Sequence, residues 1–98
     1  MVEKSDNFIN CVGPVLQSGP TSEAVIRAIE ESNREVVVLD RGAYLRILVP
    51  WRCAVSTRAI EKHLGREFRL PADLEMIMTS FKGTLSLNVD EAVWTFKH

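Results

Sequence analysis

Cysteine is scarce in this chain of 98 residues: Cys11 and Cys53 are the only two. That is too few for the disulfide framework of a small secreted domain. Each stands beside apolar residues in a strand-like segment and reads as a small buried hydrophobe; a single Cys11–Cys53 bridge is the alternative. Histidine is equally scarce, at His63 and His98, and neither neighbours a cysteine in sequence, so no metal-ligand spacing is present. No apolar run approaches the roughly 18–20 residues of a membrane helix, and residues 1–10 lack the apolar core of a signal peptide. These absences point to a cytoplasmic protein with no membrane partner. A positioned nucleophile is missing as well: there is no Gly-x-Ser-x-Gly and no base beside either cysteine. Gly19-Pro20-Thr21-Ser22 comes nearest to a phosphate cradle, and Pro20 removes one of the donors it needs. The chain also lacks charge of one sign. Twelve basic residues face thirteen acidic ones, for a net charge of −1, which leaves no field to hold nucleic acid or an anionic membrane. The acid pairs Glu30-Glu31 and Asp90-Glu91 read as solubilising charge rather than general acid–base machinery.

What is present is ordinary globular sequence. Hydrophobic residues make up 46% and charged residues 26%, typical of one folded domain. Residues 1–9 read as a flexible tail and 10–98 as that domain. Cys11–Leu16 is short, apolar and contains Pro14, which predicts an edge strand or an extended lead-in. After Gly19-Pro20, Thr21 or Ser22 can cap a helix whose stripe is Val25, Ile26, Ala28 and Ile29, ending at Asn33. Arg27 and Glu31 stand at pairing distance on it.

Val36–Leu39 and Tyr44–Val49 flank Asp40-Arg41-Gly42, where Gly42 can take a positive φ, and together they read as a β-hairpin. The first strand is apolar throughout, which predicts an inner strand covered on both faces. The second alternates, with Leu45, Ile47 and Val49 on one face. Pro50-Trp51-Arg52 is a turn, and Cys53–Val55 a return strand. Ser56 or Thr57 caps a second helix with Ile60 and Leu64 inward and Gly65 at its end. Arg52, Arg58, Lys62, Arg66 and Arg69 form a basic run that reads as a solvated face and could also meet an acidic protein.

Leu74–Phe81 reads as a strand, as do Leu85–Leu87 and Ala92–Phe96. The fold class is α+β: two helices packed on a mostly antiparallel sheet or on two small sheets, in the approximate order β-α-β-β-(β)-α-β-β-β. On a 74–81 strand, Leu74, Met76 and Met78 share one face, while Ile77, Thr79 and Phe81 share the other. With one face in the core, Ile77 and Phe81 are displayed as a candidate partner surface. On the residues alone, the alternative to any named activity is a small interaction adaptor whose sheet face binds another protein.

Four segments then carry a resemblance: Val12-Gly13-Pro14-Val15, Leu39-Asp40-Arg41-Gly42-Ala43-Tyr44-Leu45-Arg46-Ile47, Leu64-Gly65-Arg66-Glu67-Phe68 and Thr79-Ser80-Phe81-Lys82-Gly83. In this order and spacing the chain resembles the effector (coupling, or regulatory) proteins of bacterial multicomponent diiron monooxygenases. The likeness is strongest to the toluene and alkene monooxygenase effectors. It implies a protein without cofactor or catalysis of its own. Such a protein docks on the hydroxylase over the helices that hold its two irons. It tunes oxygen activation and regiospecificity and couples electron delivery from the ferredoxin and reductase components. The resemblance assigns the hydroxylase contact to Thr79, Ser80 and Phe81, with Lys82 and Gly83 following; the strand-face argument adds Ile77. The methane monooxygenase effector has a small polar residue where this chain has Phe81. Asp40, Arg41 and Gly42 match the family hairpin and are expected to hold its turn.

Overall fold

The computed structural model describes residues 8–97. Of the tail read from the sequence, residues 1–7 lie outside the described residues. Phe8 and Ile9 form a turn whose Phe8 carbonyl accepts from the Cys11 N–H at 3.0 Å. The elements then run β1 (Cys11–Gln17), α1 (Pro20–Ser32), β2 (Val37–Asp40), β3 (Tyr44–Pro50), β4 (Arg52–Ser56), α2 (Thr57–Leu64), α3 (Ala72–Ile77), β5 (Met78–Lys82), β6 (Thr84–Leu87) and β7 (Glu91–Thr95). They build two antiparallel sheets, one of four strands in the order β2-β3-β1-β5 and one of three in the order β4-β7-β6. The α+β class holds, with three helices where the sequence predicts two.

One core joins the layers. Val12, Leu16, Ile47 and Val49 come from the first sheet and Cys53, Val55, Ala92 and Trp94 from the second. Val25, Ala28 and Ile29 of α1, Ile60 of α2, Phe68 and Leu74 complete it. The apolar period of 3.6 on α1 and of 2 on β7 decides these positions. Asn33 ends α1 as expected, and its side chain does more. Its amide donates to the Ile29 and Ala54 carbonyls at 2.7 and 2.8 Å and accepts from the Ala54 N–H at 3.0 Å. One amide therefore closes the helix and ties it to β4. Ser56 caps α2 by accepting from the Ala59 N–H, and Gly65 ends it at φ 80, both where the sequence places them.

Several expectations are corrected. β1 is an inner strand between β3 and β5, not an edge. Its Pro14 is accommodated because the β1–β3 ladder passes from Val12↔Val49 to Val15↔Arg46, skipping Gly13 and Pro14; the missing N–H falls where no bond is made. β2 is the edge strand, not an inner one. Its apolar run reflects partial burial on both faces: Val36 and Val38 pack on the core, while Val37 pairs with Leu48 and Leu39 with Arg46 on the opposite face. Helix α1 is entered through Gly19 with Pro20 in its first turn and no side-chain cap. Ser22 is instead buried, its hydroxyl without a hydrogen-bond partner among the described residues. Glu31 turns from Arg27 to α2, where it meets His63 Nε2 at 2.9 Å and Lys62 at 3.5 Å.

The largest correction concerns 74–81. Residues 72–77 are helical and only 78–82 form a strand. Asp73 nucleates the turn by accepting from the Arg69 N–H at 2.8 Å, while its own N–H bonds the Arg69 carbonyl. Leu74 and Ile77, three apart, fit one helix face and an apolar strand run equally well. The helix buries Leu74 completely and leaves Met76 78% exposed, so the two residues that a strand would align point apart.

Candidate functional site

The structure divides the six residues predicted to meet a partner. Ile77 closes α3, half-buried against the core, so the strand face that the sequence has it share with Thr79 and Phe81 does not exist. Thr79, Ser80 and Phe81 lie together on β5, all exposed. Among the described residues β5 pairs only with β1 and forms an edge of the four-stranded sheet. Its outer side carries the main-chain donors and acceptors that an edge strand offers to a neighbour.

The register explains the display. Gly13 faces Lys82, Pro14 faces Phe81 and Val15 faces Ser80, after which a bulge brings Leu16 to Met78 and leaves Thr79 out of the ladder. A bulge re-aims a side chain: the Thr79 hydroxyl folds back on the Val15 carbonyl at 3.4 Å, while Met78 turns into the core. Phe81 keeps 45% of its surface exposed, a large apolar group one residue from the strand's end.

Lys82 and Gly83 anchor this edge. Lys82 Nζ donates to the Phe8 carbonyl at 2.7 Å. Gly83 stands at φ 106, and a β-carbon there would lie 2.7 Å from Val12 Cγ1 and 2.8 Å from the Thr95 carbonyl oxygen. Only glycine lets the chain pass from the first sheet to the second this closely. Asp40, Arg41 and Gly42 stand apart, in the β2–β3 turn. There Asp40 Oδ1 accepts from the Gly42 N–H at 2.8 Å, and Gly42 takes φ 83.

The basic run does not form one face. Arg52 opens β4, at the far end of that strand from α2. Lys62 pairs with Glu31, Arg69 with Glu67, and Arg66 reaches the Thr21 hydroxyl. The Glu31 carboxyl is held below the ordinary glutamate range chiefly by its hydrogen bond from His63, with Lys62 adding to the effect.

Chemically the described residues offer little. No group of three or more His, Cys, Asp or Glu among them could hold a metal ion. Burial pushes the Cys53 thiol up to about 12 against the opposing charge of Arg52, and it raises the Cys11 thiol as well. Both cysteines are free thiols, and neither supplies a thiolate at neutral pH. An open depression lined by Pro20, Glu23, Ala24, Arg27 and His63 lies beside α1; it holds no arrangement of nucleophile and base. No helix among the described residues is long and apolar enough to cross a membrane.

Sequence reasoning missed one displayed residue. Trp51, between β3 and β4, is 51% exposed at φ 68. The signal was available: Pro50-Trp51-Arg52 makes a turn without the Gly, Asn or Asp that a positive φ favours.

Residues 10–95 match the model of the MmoB/DmpM family. The chain is 42% identical over 90 residues to the effector subunit of the alkene monooxygenase system of Xanthobacter autotrophicus (strain ATCC BAA-1158 / Py2), covering 90% of this chain and 88% of that protein. Among solved structures it is similar to a chain of a phenol hydroxylase–regulatory protein complex. That match has TM-score 0.78 at 20% identity, over 89% of this chain and 98% of the other. It is also similar to the regulatory protein B of soluble methane monooxygenase, with TM-score 0.68 at 24% identity, over 99% of this chain and 70% of that one. At those identities the structural matches establish a shared fold.

Proposed function

The chain belongs to the MmoB/DmpM family, and from that premise we propose that it is the effector of a multicomponent diiron monooxygenase acting on a hydrocarbon. It binds the hydroxylase component and has no catalysis or cofactor of its own. It works in the cytoplasm alongside the ferredoxin and reductase that deliver electrons. The observation that carries this reading is the 42% identity to an alkene monooxygenase effector over nearly the whole of both chains.

The physics of such a role is a population shift. A protein without a reactive group changes another's chemistry by binding one of its conformations more tightly than the rest. Moving a two-state hydroxylase from mostly resting to mostly active needs a differential affinity of about 5.5 kcal/mol, within reach of a contact built around a few desolvated anchors. The edge strand β5 fits that task. Thr79, Ser80 and Phe81 are the proposed contact, with Phe81 as the apolar anchor. Lys82 and Gly83 hold the strand in place. Asp40, Arg41 and Gly42 keep the hairpin that supports the sheet. Oxygen activation, coupling and regiospecificity then respond to docking because each depends on the helices around the irons.

The test is reconstitution. Addition of this protein to purified hydroxylase, ferredoxin and reductase is expected to raise coupled oxygenation severalfold. Unchanged rate, product ratio and coupling would defeat the proposal. In the same assay Phe81→Ala is expected to weaken hydroxylase binding by about tenfold or more, the loss usual for an interface anchor, with its thermal midpoint close to that of the unaltered protein. Undiminished affinity in that variant would move the contact off β5.

A further inference from the structure

We propose that the molecule carries a second docking surface, centred on Trp51, for an acidic face of the same hydroxylase. This rests on the hydroxylase reading above and extends the contact beyond β5.

The backbone supplies the first reason. Trp51 occupies the left-handed region at φ 68, a conformation that a bulky side chain adopts only when its surroundings impose it. Here they do. The Trp51 N–H donates to the Asn10 carbonyl at 2.8 Å and the Trp51 carbonyl accepts from the Phe96 N–H at 2.9 Å. The Phe96 ring meets the indole edge-on at 5.4 Å and 87°. A glycine would hold this corner without strain, yet the position carries a large aromatic half open to solvent. Glu35, at φ 58, is the other non-glycine residue with positive φ among those described. It lies at the same end, just before β2 and close enough to influence the Cys11 thiol. Strain of this kind gathers where a surface is held ready for use.

Charge supplies the second reason and chooses the occupant. The chain segments that converge here are 8–13, 49–53, 81–84 and 94–97. They carry Arg52, Lys82 and Lys97, and the carboxylate of Glu35 lies at this end too; three cations against it set this corner apart in a protein whose net charge is −1. An exposed aromatic flanked by cations suits a partner whose apolar groove is rimmed by acids. Continuity makes that partner the one met by β5. The turn at Phe8–Asn10 accepts Lys82 Nζ from the end of β5 on one side and the Trp51 N–H on the other. The turn thereby joins the end of β5, next to Phe81, to the corner that carries Trp51.

Trp51→Gly separates function from folding, since glycine relaxes the corner while deleting the anchor. We expect it to melt at or above the temperature of the unaltered protein. We expect it to bind the cognate hydroxylase at least about tenfold more weakly, by titration calorimetry. Arg52→Glu should weaken binding more at low salt than at high salt. Trp51→Gly affinity within about twofold of the unaltered protein, beside a weakened Phe81→Ala, would overturn the second surface and leave the first intact. Earlier melting of Trp51→Gly would overturn the strain argument. If the unaltered protein itself fails to bind the hydroxylase, the effector reading falls, and this proposal with it.

Discussion

Gly13→Ala is expected to cost several kcal/mol and to leave the protein without a normal cooperative unfolding transition. Gly13 sits at φ +150 in the central strand, and a β-carbon there would overlap the Ile47 carbonyl oxygen and lie 3.1 Å from the Ile47 carbonyl carbon. Two penalties combine. The backbone conformation is one that side chains other than glycine adopt only at about 1–3 kcal/mol. Overpacking against main chain, which cannot rotate aside, adds about 1–3 kcal/mol more. Together they approach the lower end of the 5–15 kcal/mol that stabilises an average domain.

Gly42→Ala is the control. Gly42 has φ +83, but a β-carbon there meets nothing within 4 Å, so only the conformational cost of about 1–2 kcal/mol applies. Urea unfolding followed by circular dichroism should place the Gly13→Ala midpoint well below that of Gly42→Ala. Equal midpoints would show that β1 can retreat from β3. Because β1 lies between β3 and β5, its displacement would also carry Phe81 away, and hydroxylase activation should fall with stability.

The same residues show how far the fold can be read from the chain. Local chemistry is legible. Asp40 and Gly42 mark their turn, Ser56 and Gly65 bound their helix, and Ala92 and Trp94 alternate inward, because each signal is settled within a few residues. Position within a sheet is not settled locally. Pro14 argues for an edge, yet β1 is central, since the ladder opens at Gly13–Pro14 where no N–H is required. The Val36–Leu39 run argues for a centre, yet β2 is an edge whose two faces are each half-covered. Leu74–Ile77 is too short for its period to choose between helix and strand, and the reciprocal Arg69–Asp73 bonds decide it. That decision takes Ile77 off the strand that carries Thr79, Ser80 and Phe81, the three positions that the family resemblance names and of which the strand-face argument also names Thr79 and Phe81. At Trp51 the chain offers half of the signal, a turn without Gly, Asn or Asp; the other half, the partners Asn10 and Phe96 that impose the positive φ, is distant in sequence.

Trp94→Ala is expected to destabilise the domain by about 3–5 kcal/mol. Trp94 is the largest of the fully buried side chains and lies on the middle strand of the second sheet, between Cys53 of β4 and Leu85 of β6. Its removal leaves a cavity between layers whose other walls are fixed by two strand ladders and cannot collapse freely. The indole N–H has no hydrogen-bond partner among the described residues, and burying such a donor costs about 1–3 kcal/mol. Trp94→Phe removes that donor together with part of the ring, so the gain and the loss oppose each other. Its cost should be less than half that of Trp94→Ala. With a urea slope of about 1–3 kcal/mol per M, the alanine variant should shift the midpoint by more than about 1 M, and the phenylalanine variant by clearly less. Equal losses in the two variants would mean that the indole N–H is bonded in the folded protein. A negligible loss in the alanine variant would mean that the second sheet does not depend on Trp94. The functional consequence follows the covalent chain. Phe96 lies two residues beyond Trp94, so any movement of β7 disturbs the edge-on contact that holds Trp51. Hydroxylase affinity in Trp94→Ala should therefore fall even at temperatures where the variant remains folded.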